Sequence, residues 1–180
     1  MNADEKKREI ILKTTELMSL NKGSGMTTRK IAKNAGINPA MVNYYFGSKD
    51  GLIKAAIASM IDGRPAHEND NSRKAMFDYL VDMCETAMKY SVFGIRKDAT
   101  SFSNDVVNAS SALLKMKLLR DGDIVSQEDS LPIFRTVSFL MTASSDPDGF
   151  LKYSGIDIYA RSQLRIMVSE QLDILLGDSL

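Results

Sequence analysis

Asn43 and Arg29 carry side chains suited to reading the edges of base pairs, because a carboxamide can pair in bidentate fashion with adenine and a guanidinium with guanine. Tyr44, Tyr45 and Lys49 lie close enough in sequence to reach phosphate oxygens beside them. Pro39 and Ala40 are small and would let a backbone come near a groove. Thr27 and Asn38 are residue types that cap helix starts, and Asn38 precedes a proline at the first helical position. Two such starts aim backbone N–H groups and a positive dipole end outward, where phosphates bind. Two adjacent tyrosines on one helix cannot both point inward, so at least one should be exposed. The chemistry these residues offer is recognition of double-stranded DNA without bond-making.

Bond-making chemistry has little to work with elsewhere. The chain has one cysteine, Cys84, and one histidine, His67, too few soft ligands for a structural zinc site and no pair for a disulfide. A Ser-His-Asp triad would have to use His67, which sits in a polar, proline-containing segment. Asp78, Asp82 and Glu85 share one helical face, but carboxylate metal sites in bundles add Glu-x-x-His pairs that this chain lacks. They are expected to be a solvated face, Cys84 a buried small hydrophobe and His67 an exposed linker residue. No enzyme activity, metal or cofactor is expected.

The elements that must position the recognition residues are helices. Apolar residues recur at spacings of three and four, alternating strand patterns are scarce, and the fold class read from this is all-α. Ile10, Ile11, Thr14, Leu17 and Met18 predict a first helix over 4–21, stopped by Asn21-Lys22-Gly23. Thr27 starts a short second helix that Gly36 ends, and Asn38-Pro39 starts a third running to Phe46, with Ile31, Ile37, Val42 and Phe46 facing inward. Ser48 caps a fourth helix, striped by Leu52, Ile53, Ala56, Ile57 and Met60. Two short helices around a glycine-containing turn have the form of a DNA-binding helix-turn-helix.

After a linker at 64–71, helices are expected over 72–92, 96–104 and 106–119, from Leu131-Pro132 through Met141, and over 156–176, with a loop at 145–149. The last is apolar on more than one side, which predicts self-association. Lys and Arg outnumber Asp and Glu ten to five in residues 1–60 and are outnumbered thirteen to eighteen thereafter, within a net charge of zero. A basic N-terminal third points to a polyanionic partner. No apolar run approaches the ~18 to 20 residues of a membrane span, and no secretory signal is apparent. The default expectation is a cytoplasmic protein with no membrane association.

Thr27-Thr28-Arg29-Lys30-Ile31-Ala32, Ala35-Gly36-Ile37 and Val42-Asn43-Tyr44-Tyr45-Phe46-Gly47-Ser48-Lys49-Asp50-Gly51-Leu52 resemble the TetR family of bacterial transcriptional regulators over about residues 8 to 55. The resemblance implies a homodimer with a three-helix DNA-binding domain, here 1–50, and a helical ligand-binding and dimerisation domain, 51–180. It implies base contacts at Arg29, Pro39, Ala40 and Asn43 and phosphate contacts at Thr27, Tyr44, Tyr45 and Lys49, and the candidate DNA-binding set also includes Thr28 and Asn38. Met76, Phe77, Leu80, Met83, Met88, Phe102, Phe134 and Phe139 could line a cavity for a largely apolar effector, or be plain core. Tyr159, Leu164, Met167, Val168, Leu172 and Leu175 are the candidate dimer interface. The reading is a sequence-specific transcriptional repressor that a small-molecule effector releases from a pseudo-palindromic operator. Its rival is a helical dimerisation or adaptor protein without sequence-specific DNA binding.

Overall fold

The computed structural model describes residues 2–20, 26–62, 70–93, 95, 99–122 and 127–177. Among them every regular element is a helix: α1 (Ala3–Leu20), α2 (Thr28–Ala35), α3 (Pro39–Phe46), α4 (Lys49–Asp62), α5 (Arg73–Val92), α6 (Ala99–Asp121), α7 (Gln127–Ser145), α8 (Pro147–Ser154) and α9 (Arg161–Leu176). The chain divides into two compact units, Met1–Pro65 with Val92–Ile95, and Ala66–Ser91 with Arg96–Leu180. The all-α reading therefore holds. The stop at Asn21-Lys22-Gly23, His67 and most of the expected linker lie outside the described residues.

In the N-terminal unit, α1 opens with a reciprocal cap: Asn2 Oδ1 accepts from the Glu5 N–H at 2.8 Å, and Glu5 Oε2 from the Asn2 N–H at 2.9 Å. Helix α1 packs on α2 and α4, and α3 packs on α2 and α4. Ile10, Leu17, Ile31, Ala32, Val42, Leu52, Ile53, Ala56 and Ile57 are buried. Thr14 is buried with them, its hydroxyl donating to the Ile10 carbonyl at 2.7 Å, so no polar atom there is orphaned. The Asn34 amide donates to the Lys13 carbonyl at 2.8 Å and ties α2 to α1. The fourth helix, which a boundary after residue 50 would assign to the second domain, packs in this first unit.

The C-terminal unit is built around Met76, Leu80, Leu113, Ile133, Leu140, Leu164, Val168 and Leu172. Here the helix limits differ from expectation in four places. Residues 96–104 and 106–119 are not separate helices: α6 runs unbroken from Ala99 to Asp121. Phe102, Val106, Ala109, Leu113 and Met116 recur at spacings of four and three on one face, and all but the half-buried Phe102 are buried. The Ser110 and Ser111 hydroxyls donate to the Val106 and Val107 carbonyls, at 2.7 and 2.9 Å, instead of interrupting the helix.

Pro132 does not begin its helix but lies inside α7, which continues to Ser145. The segment expected as a loop at 145–149 contains the start of α8, with the Asp146 carboxylate accepting from the Gly149 N–H at 3.1 Å and Pro147 in the first turn. Residues 156–160 are a turn, in which Asp157 Oδ1 accepts from the Tyr159 N–H at 3.0 Å, and α9 begins only at Arg161.

Candidate nucleic-acid interface

The candidate interface begins with two helix caps. Thr27 has extended backbone angles, and its Oγ1 accepts from the Lys30 N–H at 3.2 Å. Asn38 does the same for α3, its Oδ1 accepting from the Ala40 N–H at 2.9 Å. Between them Gly36 takes φ +65°, a left-handed conformation costly for a residue with a Cβ, and its N–H bonds back into the last turn of α2. The Ile37 N–H reaches the Ala32 carbonyl at 3.0 Å, so the turn is closed from both sides. Three residues thus turn the chain between two eight-residue helices.

Of the α3 residues only Val42 is fully buried; Met41, Tyr45 and Phe46 are half-buried. That leaves Pro39, Ala40, Asn43 and Tyr44 on an open face, with Tyr44 80% exposed. The Tyr44 and Tyr45 rings meet edge to face, centroids 5.0 Å apart, and Tyr45 meets Phe46 in the same manner at 6.3 Å. Tyr45 is thereby braced on one side while its neighbour projects outward. Ile37 and Phe46, expected inward, are only half-buried.

Arg29 is exposed and Thr28 half-exposed at the start of α2. Lys30 and Lys33 are also exposed there, two cations absent from the family-matched set, and the spacing of four from Arg29 puts Lys33 on the same strip of the helix. Lys49 opens α4, with its Nζ 3.6 Å from Asp50 Oδ1, an exposed pair that competes only weakly for a phosphate-directed cation. Ser48 accepts from the Gly51 N–H at 3.0 Å, and Gly51 has no room for a Cβ, which would fall 2.1 Å from the Phe46 carbonyl oxygen. The start of α4 is therefore seated directly against the end of α3. The structure gathers ten candidate residues around the α2–α3 corner and the start of α4, half-exposed or exposed without exception.

The candidate effector residues are not gathered in this way. Met76, Leu80 and Met88 are buried in the C-terminal core, with Phe77, Met83 and Phe102 packed against it. Phe134 is exposed and lines an open groove of about 340 Å³ with Val107, Ser110, Ser111 and Leu114. Phe139 is also exposed, its ring edge-on to Phe150 at 6.0 Å. Of the candidate dimer residues, Leu164, Met167, Val168 and Leu172 are buried in the unit's own core, Leu175 is half-buried, and Tyr159 is at the surface in the turn before α9. The apolar residues that this end of the chain does expose are Leu151, Tyr153, Ile156, Tyr159, Ile166 and Ile174. Apolar counts along a helix do not reveal which side a neighbouring helix covers.

Cys84 is fully buried, and burial, with the Glu85 charge nearby, pushes its thiol up to about 12. The Ser144 hydroxyl approaches it, yet has no hydrogen bond of good geometry and is a buried polar atom without a partner. Asp78 pairs with Lys74 and Glu85 with Arg161. Among the described residues no group of three or more His, Cys, Asp or Glu could hold a metal ion, and no helix is long and apolar enough to cross a membrane.

Residues 10–56 match the family model described as bacterial regulatory proteins, tetR family, a span that runs from the buried Ile10 of α1 into α4. No curated protein matches the chain.

Proposed function

Because its N-terminal unit makes the chain a member of the TetR family of bacterial regulatory proteins, and so a DNA-binding transcriptional regulator, we propose that it is a repressor acting as a homodimer in the cytoplasm. Two copies of α3 would read the half-sites of a pseudo-palindromic operator one helical turn apart, roughly 34 to 36 Å. The observation that carries this reading is the open face of α3, where Asn43 and the 80% exposed Tyr44 stand beside Pro39 and Ala40. Asn43 and Arg29 would specify bases, while Thr27, Thr28, Asn38, Tyr44, Tyr45 and Lys49 would hold the backbone. A largely apolar effector in the C-terminal unit would shift dimers, through α4, toward a half-site spacing that no longer fits the operator.

Dimer contacts would come from side chains left exposed around α8 and α9, Leu151, Tyr153, Ile156, Tyr159 and Ile174, rather than from the buried row of α9. No reaction is required of the protein in this role. The test is selection from a random duplex pool at moderate salt, with Tyr44→Ala in parallel. A two-fold symmetric site enriched by the native protein and lost with the variant is the expected result. Activity as an adaptor that Tyr44→Ala leaves intact, with no enriched site, would overturn it.

A further inference from the structure

Arg73, Lys74 and Phe77 at the start of α5 and Arg165, Ile166 and Ser169 on α9 line an open groove of about 600 Å³ within the C-terminal unit. Its cations are not equivalent. Arg73 donates to Ser169 Oγ at 3.2 Å and pairs with Asp173, so it is fixed in the wall and its charge is answered. Lys74 pairs with Asp78 at 2.5 Å. Arg165 lies over the Phe77 ring, 4.5 Å from guanidinium carbon to ring centroid, and among the described residues it has no carboxylate partner. Its positive charge also acts on Lys74 across the groove.

Arg73 and Lys74 are each paired with a carboxylate, Asp70 adds a further negative charge near Lys74, and Arg165 presents its charge on a planar fork over Phe77. The ring of Phe77 occupies one face of that fork, and the N–H edges remain available for a bidentate acceptor. Around it the wall turns apolar, with Phe77 half-buried and Ile166 59% exposed, so a partner that only neutralised the charge would leave this surface wet.

We propose that this groove binds a small monocarboxylate carried on a flat apolar body, with the carboxylate on the Arg165 fork within reach of the Ser169 hydroxyl, and the body against Phe77 and Ile166. With Arg73 and Lys74 already paired, one fork remains for one carboxylate, and its planar geometry selects carboxylate over a spherical anion. The groove's size falls within the range of small-molecule sites. The proposal is independent of DNA binding and stands on the C-terminal unit alone.

The test is calorimetric titration of the full chain with 1-naphthoate up to about 5 mM, past the roughly 10 to 1000 µM dissociation constants that few-atom ligands reach in open sites. The expected result is one saturable site per chain. Uncharged 1-naphthamide and the Arg165→Ala variant should each bind about tenfold or more weakly, the loss expected of a charge-assisted bidentate contact. Arg165→Lys should fall between, and Phe77→Leu should weaken naphthoate while the circular dichroism of every variant stays native. Absence of saturation, equal binding of naphthoate and naphthamide, or unchanged binding by Arg165→Ala would each overturn the proposal. Displacement of naphthoate by an equal concentration of inorganic phosphate would do so too, since it would reveal a bare anion site.

Discussion

The two units solve the same problem of making helices stop in opposite ways. In the N-terminal unit, α2 and α3 are eight residues each, and their limits are written in side chains and glycines: Thr27 and Asn38 close the starts, Gly36 and Gly47 the ends. In the C-terminal unit, α5, α6 and α7 run to 20, 23 and 19 residues and pass through serines, aspartate and an internal proline that local preference would read as breaks. Burial of a shared core overrides those preferences. The short α3, open on one face, buries only Val42, whereas α5 buries seven residues and α6 four.

This contrast can be broken by truncation. Leu113→Ala, at a fully buried position of the C-terminal core, should cost about 2 to 5 kcal/mol in urea-induced unfolding. Val42→Ala, also fully buried, should cost about 1 to 3 kcal/mol and weaken DNA binding as well, because α3 loses its anchor. Equal effects of the two on DNA affinity would show that the units do not divide core and interface as described.

Within the interface, Arg29→Ala should lose about 1 to 3 kcal/mol of binding and relax base preference, whereas Lys49→Ala should weaken all sequences alike and reduce the salt slope by about one. Binding measured against salt on matched and mismatched duplexes separates these; identical behaviour of both variants would collapse the division between base and phosphate contacts. Removing the caps by Thr27→Ala or Asn38→Ala should cost about 0.5 to 2 kcal/mol each, seen as a lower unfolding midpoint. Were Asn38→Ala neutral, the view that local side chains delimit α3 would fail.

The smallest effect is expected at Cys84. With its thiol held up to about 12 by burial, alkylation at neutral pH should proceed only as fast as the protein opens. The sign of the accompanying pH dependence follows from linkage. Above the ordinary thiol value of 9.0 the unfolded chain loses the proton while the folded chain keeps it, so this contribution to stability is full below 9.0 and declines from there to about 12. Rapid native-state labelling would contradict the core placement.

Residue order specified the candidate interface more fully than the core. Caps, a left-handed glycine and a tyrosine pair act over one to four residues, so the α2–α3 corner and the exposure of Tyr44 were legible from residue order. The four-residue spacing that links Arg29 to Lys33 was equally available there, though a motif-led selection passed over it. The start of α8 at Pro147 rests on an equally local cap, Asp146 before a proline, whereas continuity of α6 and the inward burial of Leu164, Val168 and Leu172 were decided by packing. These last two depend on which face a distant helix covers, and apolar periodicity reports that a face is covered without naming its partner. The groove that joins Arg73 to Arg165 is of the same kind, because the two residues lie 92 positions apart in the sequence and only the packing of α5 with α9 brings them to one wall.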